Sequence, residues 1–153
     1  MHIANILIVC SNDIDLAAMT SALSNDHKVV AFRDLKDVNL FQFLPFQCEI
    51  GFIEVGEDAE TSVLDILKLG ENGMALVLMF RPPCPQPVVE AVTSGKIHGL
   101  CRLPVDLEFF ILQARTLIAQ IAKKNELAGH RHRILTNEEV AYLLKGDKWK
   151  GKA

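Results

Sequence analysis

Five residues near the start of the chain, Ile6-Leu7-Ile8-Val9-Cys10, form an unbroken apolar run. A strand with one face in water alternates apolar and polar residues. A continuous apolar run belongs to a strand covered on both faces. Such a strand needs helices above and below it, which restricts the chain to a layered α/β fold. The pattern recurs at Val29-Val30-Ala31-Phe32, at Ile50-Gly51-Phe52-Ile53 (ending near Glu54), over residues 75–80, and briefly at Gly99-Leu100-Cys101. Segments with helical spacing lie between these runs. Residues 13–23 carry Ile14, Leu16, Ala17, Ala18 and Leu23 as an apolar side, with Ser11 or Asn12 as cap. Residues 35–44 stop at Pro45. Residues 58–69 turn Val63, Ile66 and Leu67 inward and stop at Gly70, and prolines at 82, 83, 85 and 87 delay the next helix to residues 88–94. Five β-then-α units with short connections predict a (βα)5 doubly wound parallel sheet with right-handed crossovers.

The fifth helix starts after Pro104 with Asp106 as its cap and runs over residues 107–128, about 33 Å at the usual rise. Leu107, Ala114, Ile121 and Ala128 fall seven apart, as do Ile111, Ile118 and Asn125. The first half is expected to pack on the sheet, and the second to run past it and pair with a copy of itself. From Gly129 the character changes. His130-Arg131-His132-Arg133 reads as a basic connector, and Thr136-Asn137-Glu138-Glu139 as a capping box opening a short helix with Val140, Ala141, Leu143 and Leu144. The expected division is an α/β domain over 1–128 and a basic linker with a short helix over 129–153, the latter readable as the start of an output segment.

Charge follows the same division. Residues 1–128 hold 10 Lys and Arg against 16 Asp and Glu; residues 129–153 hold 6 against 3. An acidic body is a poor non-specific binder of nucleic acid, so any nucleic-acid contact would fall to residues 129–153 or to a region missing from this sequence. Cys10, Cys48, Cys84 and Cys101 form no C-x-x-C pair, and three sit in or beside apolar runs. Reduced, buried thiols in a cytoplasmic protein are expected, not a disulfide frame. The apolar run at 6–10 is too short for a signal peptide or a membrane span, and no membrane contact is expected.

In an open parallel sheet, ligands bind at the carboxyl ends of the strands. The residues there are 10–13, 54–58, 80–83 and 102–104. The first strand "NILIVCSND", the segment "CEIGFIEVGE" and the run "HGLCRLPVDLEFF" resemble the corresponding parts of the receiver domain of two-component response regulators, over roughly residues 4–125. The resemblance implies a flavodoxin-like, receiver-type sheet, here with an extended C-terminal helix. It also implies a place for each part of a phosphorylation site. Cys10 and Ser11 fall where two acidic residues would hold Mg²⁺, and Glu54 falls where an aspartate would take the phosphoryl group. Phe80 or Arg81 falls on the hydroxyl position, Leu103 on the lysine and Leu100 on the aromatic switch. A thiol is a poor Mg²⁺ ligand, and neither Phe80 nor Arg81 offers a small hydroxyl. A shifted register would bring Asp13 to the metal and Arg102 to the lysine position, but Arg102 alternates to the face opposite Leu103. The pocket is therefore expected to be degenerate, with no metal, no cofactor and no catalytic residue. Glu54 reads either as a built-in imitation of the phosphorylated state or as a polar residue ending a strand at the surface. The second is favoured, because the residues that would sense a phosphate are also replaced.

No Gly-rich phosphate loop and no nucleophile–base–acid set is present, and Cys101, His98, His130 and His132 lack partners at metal spacing. The expected function is that of a phosphorylation-independent signalling or regulatory module, not an enzyme. It would act through contact with a protein partner or a downstream output domain, or through homodimerisation. The expected contact surface is Val88, Val92, Leu100, Phe109 and Leu112. Two alternatives stand. "LTNEEVAYLL" resembles the first helix of several helix-turn-helix modules, which would make the chain the N-terminal regulatory part of a DNA-binding transcription regulator or a fragment of one. The proline-rich loop at 82–87 could instead shape a pocket for a small ligand or nucleotide.

Overall fold

The computed structural model describes residues 3–40, 48–71 and 73–133. Five strands form one parallel sheet: β1 (Asn5–Val9), β2 (Lys28–Phe32), β3 (Ile50–Glu54), β4 (Ala75–Phe80) and β5 (Gly99–Arg102), in the order β2-β1-β3-β4-β5. The helices are α1 (Asp13–Ser24), α2 (Leu35–Leu40), α3 (Ala59–Gly70), α4 (Gln86–Thr93) and α5 (Leu107–Arg133). This is the α/β architecture the apolar runs predict. The strand order reverses direction at β1, so right-handed crossovers put α1 on one face and α2, α3 and α4 on the other. Leu7, Val9, Ile53, Leu76 and Leu78 pack on the α2–α3–α4 face with Val38, Val63, Ile66, Val88 and Ala91. On the opposite face α5 closes over β3, where the rings of Phe110 and Phe52 lie 4.7 Å apart and tilted. The chain divides into two compact units, Met1–Ile118 and Ala119–Ala153.

Several local expectations are corrected. In α1 the buried residues are Asp15, Met19 and Leu23, four apart, while Ile14 is 80% exposed. Asn12 is the cap, its side chain accepting from the N–H groups of Ile14 and Asp15, and this fixes which side faces in. Helix α4 begins at Gln86, two residues earlier than the prolines suggested, since a proline is tolerated in a first helical turn. Helix α5 passes through Gly129 to Arg133, where a basic connector was expected. One glycine costs a helix about 1 kcal/mol and need not end it. The buried stripe of α5 is Phe110, Ala114, Leu117 and Ile118, so 3.6-residue packing on the sheet takes precedence over the seven-residue spacing, and Leu107 is partly exposed. The expected continuation of α2 over 41–44 and the helix opened by Thr136 lie outside the described residues.

The amino end of the sheet uses a device the sequence did not announce. At the start of β2, Lys28 N–H donates to Ala4 O while Ala4 N–H donates to Nδ1 of His27 (3.1 Å). At the start of β5, His98 N–H donates to Leu76 O while Leu76 N–H donates to Nδ1 of His98 (3.1 Å). Before β3, Glu49 repeats the arrangement with its carboxylate and Asn5 N–H. Each side chain thus supplies one more acceptor to the ladder. At the outer edge of β5, Gln113 of α5 donates to Leu100 O (3.2 Å), and a Cβ on Gly99 would collide with that amide. The edge is thereby partly covered against pairing with another strand. Replacing His98 by Ala leaves the buried Leu76 N–H without its acceptor. The expected loss is about 1–3 kcal/mol in denaturant unfolding, seen as a lower midpoint at unchanged slope.

Candidate functional site

The carboxyl edge of the sheet gathers the loops that follow β1, β3, β4 and β5. Glu54 is the last residue of β3, one step past the Val9–Ile53 register pair. Its carboxylate is half-buried and needs donors. Ser11, two residues beyond the end of β1, supplies two: its backbone N–H donates to Oε1 (2.7 Å), and its hydroxyl lies 2.9 Å from Oε1 and 3.2 Å from Oε2. Asn12 caps α1 immediately afterwards, so the turn that starts the helix also sets Ser11 over Glu54. Hydrogen bonds to a charged acceptor are the stronger kind, about 1.5–3 kcal/mol each.

A second carboxylate was missed in the sequence. Asp15 is only 6% exposed, with Oδ1 accepting the Val105 N–H (3.2 Å) and Oδ2 lying 3.7 Å from a guanidinium nitrogen of Arg81. It links α1 to the β5–α5 loop and to the residue after β4. The signal for it was spacing: Asp15 shares the i, i+4, i+8 side with Met19 and Leu23, and an aspartate on a buried side requires partners. Arg33, after β2, pairs with Asp13 at 2.9 Å, both exposed. In the β3–α3 loop, Ser62 Oγ accepts from Gly56 N–H (2.8 Å).

These groups surround an open cleft of about 650 Å³, bordered among others by Ser11, Arg33, Glu54, Phe80 and Arg81. Of the residues expected in the pocket, Ser11, Glu54, Phe80 and Arg81 meet here. Cys10 is fully buried and Leu103 nearly so, and neither lines the cleft. Phe80 and Arg81 both border it, Phe80 as the last residue of β4. Leu103 instead lines a second cavity of about 570 Å³ with Leu100, Arg102 and Phe109, and Phe80 forms a wall of both. Arg102 is exposed and belongs to that second cavity, so it does not take the lysine position beside Glu54. Of the expected contact surface, Val92, Phe109 and Leu112 are exposed and Leu100 is half-buried, but Val88 is fully buried. With α4 starting at Gln86, Val88 and Ala91 form its inward side and Val89 and Val92 face outward.

The donor set does not fit a Mg²⁺ ion, which takes hard oxygen ligands in an octahedron. Burial pushes the Cys10 thiol up to about 11, with the nearby charges of Glu54 and Asp15 adding to the rise and a backbone hydrogen bond at Asn12 opposing it. At neutral pH it is a thiol and not a thiolate. Among the described residues, no group of three or more His, Cys, Asp or Glu is placed to hold a metal.

Burial likewise raises Cys48 and Cys101 to about 11. An unfolded chain releases these protons near the ordinary value of 9.0, whereas the folded chain holds them to about 11. The folded state binds more protons in that window, so stability is full below pH 9 and falls as pH rises toward 11. Urea unfolding at pH 8 and pH 10.5 should show a lower midpoint at the higher pH. A smaller fall is expected for Cys48→Ala, which removes one of the three groups.

No family model and no curated protein matches the chain. Solved structures do. A CheY-like response regulator receiver domain protein from Methanospirillum hungatei JF-1 matches at TM-score 0.67 and 14% identity, over 80% of this chain and 99% of that one. NtrX from Brucella abortus, in complex with ADP, matches at 0.67 and 17%, over 90% of this chain but 31% of that one. A structure described as adenylate cyclase from Rhodopirellula baltica matches at 0.60 and 16%, over 84% and 98%. At these identities the likeness is one of fold. With its strand order and its loops gathered at the carboxyl edge, the chain has the receiver-type fold of CheY-like response regulators.

Proposed function

We infer that the chain is a signalling or regulatory module that works through protein contact, without phosphorylation and without turnover. The observation that carries this reading is the Ser11–Glu54 arrangement. The carboxylate at the phosphoacceptor position is already held by donors from the β1–α1 loop, and one of those donors stands where a metal ligand would be needed. In a working receiver the ion and the phosphoryl group would draw these loops together. Here Glu54 joins β3 to the β1–α1 loop, and Asp15 joins α1 to the β5–α5 loop and Arg81. Both links are made of groups the chain carries itself, so the edge is held without an added charge.

The contact surface proposed is the outward side of the helices before and after β5. Val89 and Val92 of α4 and Phe109 and Leu112 of α5 are exposed there, Leu112 at 64%. Exposed apolar residues from successive helices favour contact with another surface. A second copy is the proposed partner, since a twofold axis lets one patch serve both sides. An output segment attached to the chain is a further proposed partner, in keeping with the larger size of the NtrX chain.

Light scattering tests the reading, with intact-mass analysis of the same samples. The expected result is a dimer whose proportion does not change with Mg²⁺ and acetyl phosphate, and no phosphoryl adduct on the protein. Leu112→Glu should weaken the dimer at least about tenfold, or ~1.4 kcal/mol. A Mg²⁺-dependent phosphoryl adduct, or a strict monomer at high concentration, contradicts it.

A further inference from the structure

The second cavity has a chemistry of its own. Phe80 and Arg102 are register partners on β4 and β5, so their side chains leave the sheet on the same face. Leu100, two residues before Arg102, leaves on that face too. Leu103, Pro104 and Phe109 complete a largely apolar wall, and the volume of about 570 Å³ lies within the range of small-molecule sites. Phe109 is 47% exposed and Leu100 and Phe80 are half-buried, which leaves apolar surface open in a concave place.

One charge in this cavity stands without a counterpart. No carboxylate among the described residues pairs with Arg102. The nearest acid in the lining, Asp106, uses its side chain to accept the Phe109 N–H at the start of α5 (3.3 Å). The first cleft differs: its two arginines face Asp13 and Asp15, and Glu54 stands inside it. An anion would be repelled there and attracted at Arg102. A guanidinium binds a carboxylate through two parallel hydrogen bonds. Asp106 at the rim disfavours a second negative charge, which argues for a monoanion over a phosphate dianion.

We propose that the cavity between the end of β5 and the start of α5 binds an amphipathic monocarboxylate, its carboxylate on Arg102 and its apolar body against Leu100, Phe80 and Phe109. The proposal does not depend on the dimer. It rests on the unpaired guanidinium beside an apolar cavity.

The test is a titration followed by NMR on the leucine methyl groups, with decanoate, decanol and decyltrimethylammonium as probes. Decanoate should shift the Leu100 and Leu103 signals saturably at concentrations below its micelle formation. Decanol, with the same chain and no charge, should bind at least about tenfold more weakly, and the ammonium probe more weakly still. Arg102→Gln, at an exposed position where folding is not at stake, should reduce decanoate binding to the level of decanol. Light scattering on the same samples reports pairing separately. Equal binding of decanoate and decanol, full decanoate affinity in Arg102→Gln, or no saturable shift with decanoate each overturns the proposal.

Discussion

A carboxylate at the end of a strand buried on both faces has to be met by donors, and at Glu54 this requirement shapes the whole carboxyl edge. β3 is flanked by β1 and β4 and covered above and below, so Glu54 emerges half-buried among apolar neighbours. Water alone would leave it poorly solvated. The β1–α1 turn answers with a backbone N–H and a hydroxyl from Ser11. Once Ser11 is placed, Asn12 caps α1, and the capped helix turns Asp15 inward. Asp15 then needs partners in turn and finds them at Val105 and Arg81. One carboxylate thus leads to a second, and together they reach four loops.

The balance of energies favours this arrangement over an ion site. Two carboxylates close together without a cation repel each other. Here the two stand on different elements, each beside its own donor or guanidinium. The thiol at Cys10, held protonated by burial, adds no negative charge between them. The same residue types would make a weak metal site, because a neutral thiol and a hydroxyl replace two carboxylates.

Much of the fold was legible in the sequence because apolar runs of five residues leave little choice. Ile6 to Cys10 and the run at 75–80 could only be interior strands, and the helical spacing between them gave the α/β alternation. What could not be read was rotation and reach. Ile14 is the more apolar residue of the first turn of α1, yet Asp15 faces inward, because Asn12 starts the helix and because partners for Asp15 arrive from residues 81 and 105. Val88 gave the same difficulty: moving the start of α4 by two residues turned it from the surface to the core. His27 and His98 look like ordinary loop histidines until the register shows each ring extending a strand. Of the candidate pocket, Ser11, Glu54, Phe80 and Arg81 were identifiable from strand ends alone. Asp15 and the separate cavity at Arg102 depended on contacts distant in sequence.

The central claim is that the chain's own carboxylates tie the carboxyl edge together before any ion or phosphoryl group arrives. Residue-resolved amide hydrogen exchange at Ser11 and Val105 tests it most directly, because those two N–H groups donate to Glu54 and Asp15. Both lie in loops, where amides that point to water exchange quickly. The account predicts slow exchange at both in buffer without Mg²⁺, and no further slowing when Mg²⁺ and beryllofluoride are added. Rapid exchange at both in buffer, or protection that appears only with Mg²⁺ and beryllofluoride, would contradict it.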